Sequence, residues 1–193
     1  GLMTKIFGFK LLLFKIVNVI FNFFAVFFFY KTFVKRIPYI VLVPVMIFVS
    51  CNHLIQYFAS MTITEAFYLF LQSLFFYSFF KLYDGLQQDA NPKTHIKKWL
   101  TLGLFTFLIA TCKSVAIVAV PVLIFYFLIE KQWKNAGFAL GSYLIFKIPY
   151  ELLVKIIWGT QNQFAGQSKI LLLKDPYDKA LGNDDVAGFI GRF

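Results

Sequence analysis

Thr111-Cys112-Lys113-Ser114-Val115-Ala116-Ile117-Val118-Ala119-Val120-Pro121 places one lysine inside the long apolar run 99–129. A charged side chain at the centre of a bilayer costs about 2.5 to 3.5 kcal/mol on the mildest scale, so this ammonium needs a reason. As one helix, 99–129 would be about 46 Å long, well beyond a hydrocarbon core of roughly 30 Å. The run therefore reads as two short helices, 99–110 and 114–129, meeting in a tight turn at 111–114. Lys113 then stands at the membrane face where a helix begins. Its ammonium would join the free backbone N–H groups and positive dipole end of that helix, a setting suited to an anion such as the phosphate of a lipid carrier. The plainer alternative is a lysine that snorkels to the headgroups.

Composition points the same way. The 193 residues are 60% hydrophobic and 21% aromatic, with 27 Phe, and only 15% are charged. That excludes a soluble domain of ordinary composition. The formal net charge of +10 does not imply nucleic acid, because the basic residues punctuate apolar segments and form no basic stripe with exposed aromatics. Cys51 and Cys112 both fall near segment ends, where a disulfide is conceivable, but they read as free thiols without metal-ligand spacing. No cleavable signal peptide is visible, and the chain opens on Gly1, so it reads as an excerpt of a longer polypeptide.

Outward from Lys113, the chain reads as an all-α membrane protein. Residues 1–158 form a helical bundle with spans at about 9–30, 37–58, 64–82, 99–110, 114–129 and 136–158, and 159–193 form an extramembrane loop. Lys15, Asn18 and Asn22 share one face of the first span, where amides commonly bond neighbouring helices. Pro44 and Pro149 predict kinks in the second and sixth spans. His53 ends the second span near an interface, as a hydrogen-bonding residue or a ligand to substrate. Glu65 opens the third span, as a dipole partner or a functional acid. Residues 83–98 read as a hydrophilic loop, with Asp84-Gly85 and Asn91-Pro92 as turn signals. Lys147 and Glu151 stand four apart, an internal ion-pair spacing.

Orientation follows from counting Lys and Arg in the short loops. Lys31, Lys35, Arg36, Lys81, Lys93, Lys97, Lys98, Lys131 and Lys134 alternate onto one side, while the other side's two connecting loops hold Lys113 alone. The nine-charge side is then cytoplasmic. Glu65, Lys113, the start of the chain and residues 159–193 fall on the extracytoplasmic face. The terminal segments carry more basic residues, so the rule is clean only in the short loops.

Three stretches resemble the GT-C superfamily of lipid-linked-sugar-dependent integral membrane glycosyltransferases, and within it the protein-mannosyltransferase and aminoarabinose-transferase-like branch. One is the acid that opens a helix after a polar turn, Met61-Thr62-Ile63-Thr64-Glu65-Ala66-Phe67. Another is Ala110-Thr111-Cys112-Lys113-Ser114-Val115, followed by an apolar helix and the basic turn Lys131-Gln132-Trp133-Lys134. The third is the loop Gln163-Phe164-Ala165-Gly166-Gln167 through Leu173-Lys174-Asp175-Pro176-Tyr177-Asp178 to Gly188-Phe189-Ile190-Gly191-Arg192, which looks like a large outer loop of such enzymes. The resemblance covers most of residues 9–192. It departs in one respect: the acid usually assigned as catalytic base lies in a first outer loop with no counterpart here, so no catalytic residue is assigned in this chain.

The resemblance implies a bacterial inner-membrane enzyme moving a sugar from a polyprenyl-phosphate donor to an acceptor on the extracytoplasmic face, inactive as this stretch alone. Lys113 would meet the lipid phosphate, with Glu65, His53 and Tyr177 as the other substrate-binding candidates. No cofactor is assigned. A divalent cation is conceivable from the acids of 159–193, which lack a recognised ligand spacing and equally suit a plain turn. Partners are the lipid-linked sugar and membrane lipid. A competing class is a non-catalytic helical subunit that scaffolds other membrane subunits. A transporter using Lys15, Lys113 and Lys147 is a third, without the internal repeat common in that class.

Overall fold

The computed structural model describes residues 11–53, 57, 65–89 and 91–158, and every regular element among them is helical. In chain order these are α1 (Leu11–Phe33), α2 (Tyr39–Ser50), α3 (Glu65–Gln88), α4 (Ile96–Cys112), α5 (Ala119–Ile129) and α6 (Trp133–Trp158). Short 3₁₀ segments, Pro92–His95 and Ser114–Val118, precede α4 and α5. The chain divides into two compact units, 1–146 and 147–193.

In the first unit, α1 and α3 run parallel along a ladder of rings. Phe21 meets Phe67 and Phe70 at centroid distances of 4.9 and 5.3 Å, Phe28 meets Tyr77 at 5.5 Å, and Phe33 meets Phe80 at 5.7 Å. Both helices climb together, so α2 must carry the chain back between them. The buried residues of α1, Asn18, Ala25 and Thr32, repeat every seven positions and mark its inner face. Pro38 precedes α2 as its N-cap, where a missing N–H costs nothing.

The core lies between α3, α4, α5 and the start of α6. Leu71, Phe75, Leu82 and Leu86 form the stripe from α3, and Trp99, Leu102 and Ile109 the stripe from α4. Trp99 packs on Phe127 of α5 at 5.5 Å. α4 and α6 run parallel in a constant register: Trp99 meets Phe138 at 5.9 Å, Gly103 meets Ser142, and Phe107 meets Phe146 at 6.4 Å. Residues four apart on each helix make one ridge, so the contact repeats once per turn. At its middle, Gly103 approaches so closely that a Cβ there would overlap the Ser142 carbonyl.

Several boundaries depart from the sequence reading. The stretch expected as a loop from residue 83 stays helical to Gln88, and α4 begins at Ile96, leaving only a short connection. Tertiary contacts override the Asp84-Gly85 turn signal: Asp84 pairs with Arg36, and Gly85 is buried where Lys98 and His95 cross it. The connection itself is tied by Asp89, whose Oδ1 accepts from Asn91 N–H (2.9 Å) and whose Oδ2 accepts from the Thr94 hydroxyl (2.8 Å). α2 is shorter than the 37–58 expected of the second span, and residues 54–56 and 58–64 lie outside the described set. α6 starts at Trp133 and carries Pro149 within it, as α2 carries Pro44.

Among the described residues, one helix, Leu12–Phe33, is long and apolar enough by itself to cross a membrane; Tyr39–Ser50 and Val115–Ile129 are apolar but shorter. In the second unit, Lys147 and Glu151 form the expected pair at 2.9 Å.

Candidate functional site

Glu65 opens α3 with its carboxylate in the first turn, where a negative charge complements the helix dipole. Lys113 follows α4 in extended backbone (φ −137°, ψ 127°), its N–H still bonded to the Ile109 carbonyl and its own carbonyl accepting from Ala116 N–H. The antiparallel run of α3 and α4 brings these two positions, 48 residues apart, to one end of the unit. Lys113 Nζ donates to Glu65 Oε1 at 2.6 Å. Nζ also stands 5.6 Å from the centre of the Tyr68 ring, an aromatic face that attracts a cation.

The pair is accessible. Its side chains are 32% and 28% exposed, so a solute or headgroup can reach it. Glu65 Oε2 is buried and accepts from no described residue. One spot therefore offers a cation that an incoming anion can claim, beside a buried carboxylate oxygen with spare accepting capacity.

The expected helix start at Lys113 is corrected in one respect. The five residues after it form a 3₁₀ segment, and the α-helix proper begins only at Ala119. Pro121 explains this: it has no N–H to give, and its ring would clash with the carbonyl four residues earlier, so regular α bonding can start only with proline in the first turn. Lys113 thus presents its own charge without an α-helical N-terminus directly behind it.

Of the other candidates, His53 is exposed, with its ring 6.3 Å from that of Tyr57. Tyr177 and the acids of 159–193 lie outside the described residues, as does the cation question attached to them. Among the described residues no group of three or more His, Cys, Asp or Glu could hold a metal. Tyr68 was missed, although a ring three positions after Glu65 shares its helix face.

The opposite end of the unit is basic. Arg36 clamps the end of α1 to the end of α3: it pairs with Asp84, donates to the Thr32 carbonyl at 2.8 Å, and lies 4.5 Å over the Phe80 ring. Lys81, Lys97 and Lys98 line one depression there, and Lys131 and Lys134 line another with Leu86 and Pro92. The two ends are thus opposite in character, one with a compensated acid–lysine pair and one with a crowd of cations.

The described residues thus form an all-helical assembly of elements with an accessible acid–lysine pair where two helix ends meet. No protein-family model, curated protein or solved structure matches the chain.

Proposed function

We propose that this chain is the membrane-embedded, donor-binding part of a GT-C-type glycosyltransferase, which takes a polyprenyl-phosphate sugar at the Glu65–Lys113 end on the extracytoplasmic face of a bacterial inner membrane. Four features support a six-span arrangement. The outer faces are apolar as well as the core: Ile40 and Ile129 are 84% and 78% exposed, while Ser73, Thr106, Asn135 and Ser142 are buried. The buried hydroxyls of Ser73, Thr106 and Ser142 bond carbonyls of their own helices, which suits an interior without water. Helices α4 and α6 meet at Gly103 and Ser142, the small-residue contact that membranes favour. On α3, Glu65 and Asp84 stand about 28 Å apart along the axis, close to a hydrocarbon thickness of roughly 30 Å. The basic crowd beside Asp84 then faces the cytoplasm.

The observation that carries the functional reading is the part-exposed Lys113–Glu65 pair at 2.6 Å, whose second carboxylate oxygen, Glu65 Oε2, is buried and accepts from no described residue. In this reading the donor phosphate displaces Glu65 from Lys113, and the freed carboxylate accepts from a sugar hydroxyl. Positive charge at the phosphate stabilises the leaving group as the glycosidic C–O bond breaks. The acceptor's proton goes to a base that this chain's described residues do not supply.

A second reading is favoured by the same contact: a lysine already compensated by an acid and covered by a tyrosine is what a structural latch in a scaffold subunit looks like. Polyprenyl phosphate without sugar separates the two in the full-length protein. Donor binding predicts that Lys113→Ala weakens affinity at least about tenfold, or about 1.4 kcal/mol, and that Glu65→Gln strengthens it by removing the competitor. Unchanged affinity in both variants, with lowered thermal stability, would select the latch.

A further inference from the structure

The basic end holds a depression of about 370 Å³ lined by Lys131 and Gln132 of the turn after α5 and by Trp133, Lys134 and Asn135 in the first turn of α6, with Leu86 and Pro92. Lys134 also lines a second, almost wholly apolar groove of about 500 Å³, formed with Trp99, Gly137, Phe138 and Gly141. The groove follows α6 for about 16 Å, from Lys134 to Ile145. Cβ atoms added at Gly137 or Gly141 would meet nothing within 4 Å, so the small residues hold this space open. A charged pocket and an oily groove are thus neighbours, with Lys134 in the lining of both.

Two further observations mark the pocket. Asn135 is only 7% exposed; its Nδ2 donates to Gln132 Oε1 at 2.7 Å, while its Oδ1 is buried and accepts from no described residue. A buried, unused acceptor normally has a donor to meet. Lys131 is the one described non-glycine residue with positive φ, at 57°. It closes α5 in a two-bond cap, with Lys131 N–H to the Leu128 carbonyl at 2.9 Å and Gln132 N–H to the Phe127 carbonyl at 2.8 Å. Glycine is the usual occupant of that left-handed position, and another residue is held there at a cost of about 1 kcal/mol or more. Such strain is a pointer to function when a reason for the side chain stands beside it.

We infer that this pocket and groove together bind one anionic glycerophospholipid, its phosphate on Lys131 and Lys134, a headgroup hydroxyl donating to Asn135, and an acyl chain along Gly137 and Gly141. The first N–H groups of α6, unbonded within the helix, point the same polarity at the phosphate. Trp133, 70% exposed, stands where an interfacial tryptophan anchors. Phosphatidylglycerol has the required chemistry, a phosphodiester and free hydroxyls. Phosphatidylcholine keeps the phosphate but adds a cation and has no hydroxyl. The site rests on the membrane reading above and is independent of the glycosyltransferase one.

The test uses the full-length protein in nanodiscs of phosphatidylcholine with a minor share of phosphatidylglycerol, reading retained lipids by native mass spectrometry. Retention of phosphatidylglycerol over phosphatidylcholine by about tenfold is expected. Lys131→Gly should lower that preference severalfold while raising the unfolding midpoint, so misfolding cannot account for the loss. Lys134→Gln should lower it without touching the turn, and Gly141→Leu should reduce retention of both lipids by filling the groove. Equal retention by the wild type, or an undiminished preference in Lys131→Gly and Lys134→Gln, would overturn the site. Displacement of the lipid by millimolar inorganic phosphate would also overturn it, by showing a bare anion site. Failure of the protein to enter the discs would remove the membrane reading itself, and this site with it.

Discussion

Replacing Gly103 with alanine adds one methyl group at the closest approach of α4 and α6, where it overlaps the backbone carbonyl of Ser142. A backbone atom cannot swing aside, so the helices must separate. Overpacking of this kind costs about 1 to 3 kcal/mol. Separation also loosens the Trp99–Phe138 and Phe107–Phe146 ring pairs one turn to either side, each worth about 0.5 to 1.5 kcal/mol when close. Against this, alanine is the better helix former by about 1 kcal/mol. The net expectation is a loss of about 1 to 3 kcal/mol. Gly137→Ala and Gly141→Ala make the same chemical change on α6 with nothing in reach of the new carbon, and should gain up to about 1 kcal/mol. Unfolding with dodecyl sulfate in mixed micelles, followed by far-ultraviolet circular dichroism, reads both signs in one assay. If Gly103→Ala unfolded at the same detergent fraction as Gly137→Ala, or later, the close packing of α4 on α6 would be refuted.

Two further outcomes follow. Under the proposed six-span arrangement, Cys51, exposed just past α2, should react with a membrane-impermeant maleimide from the side opposite Lys131→Cys, because α2 leads away from the Arg36 clamp; labelling of both from one side would refute that arrangement. The bonds from Asn91 N–H and the Thr94 hydroxyl, with His95 adding a smaller attraction, hold the Asp89 carboxyl below the usual aspartate range. A depressed carboxyl adds stability above its unfolded pKa and loses it as pH falls through the folded one. The Asp89 contribution to the unfolding midpoint should therefore fade as pH falls from the ordinary aspartate range through the lowered folded value, and Asp89→Asn should flatten that acid limb. An unaltered limb would mean that the connection does not contribute.

The break at Lys113 was legible because two independent constraints met there: a run too long for one span and a charge that could not sit at its centre. The expectation that Glu65 and Lys113 share one end followed from alternating short loops, and the described contacts bring them together. Their direct bond was not legible, since it depends on how α3 and α4 align over 48 residues. Local chemistry misled at Asp84-Gly85, where a good turn dipeptide is held in a helix by Arg36 and by the side chain of Lys98. Lys131-Gln132 was readable as a tight polar turn, but nothing in the residue type announces a lysine in left-handed backbone. Pro121 carries the signal for the 3₁₀ segment before it, since a proline fits α bonding only in a helix's first turn, but an apolar run by itself does not separate 3₁₀ from α backbone.

The ring ladder between α1 and α3 has a consequence for the order in which the chain is made. Phe21 finds Phe67 and Phe70 only after the intervening α2 has been synthesised and turned back. Until then α1 must wait alone in whatever surrounds it, and it is the described helix that is apolar and long enough to do so unaided. α3, with Gln72, Ser73, Ser78 and Lys81 along it, arrives to find that partner already in position. The difference in apolarity between two helices that end up sharing an interface thus records a timetable: the first must be self-sufficient, and the third can lean on it.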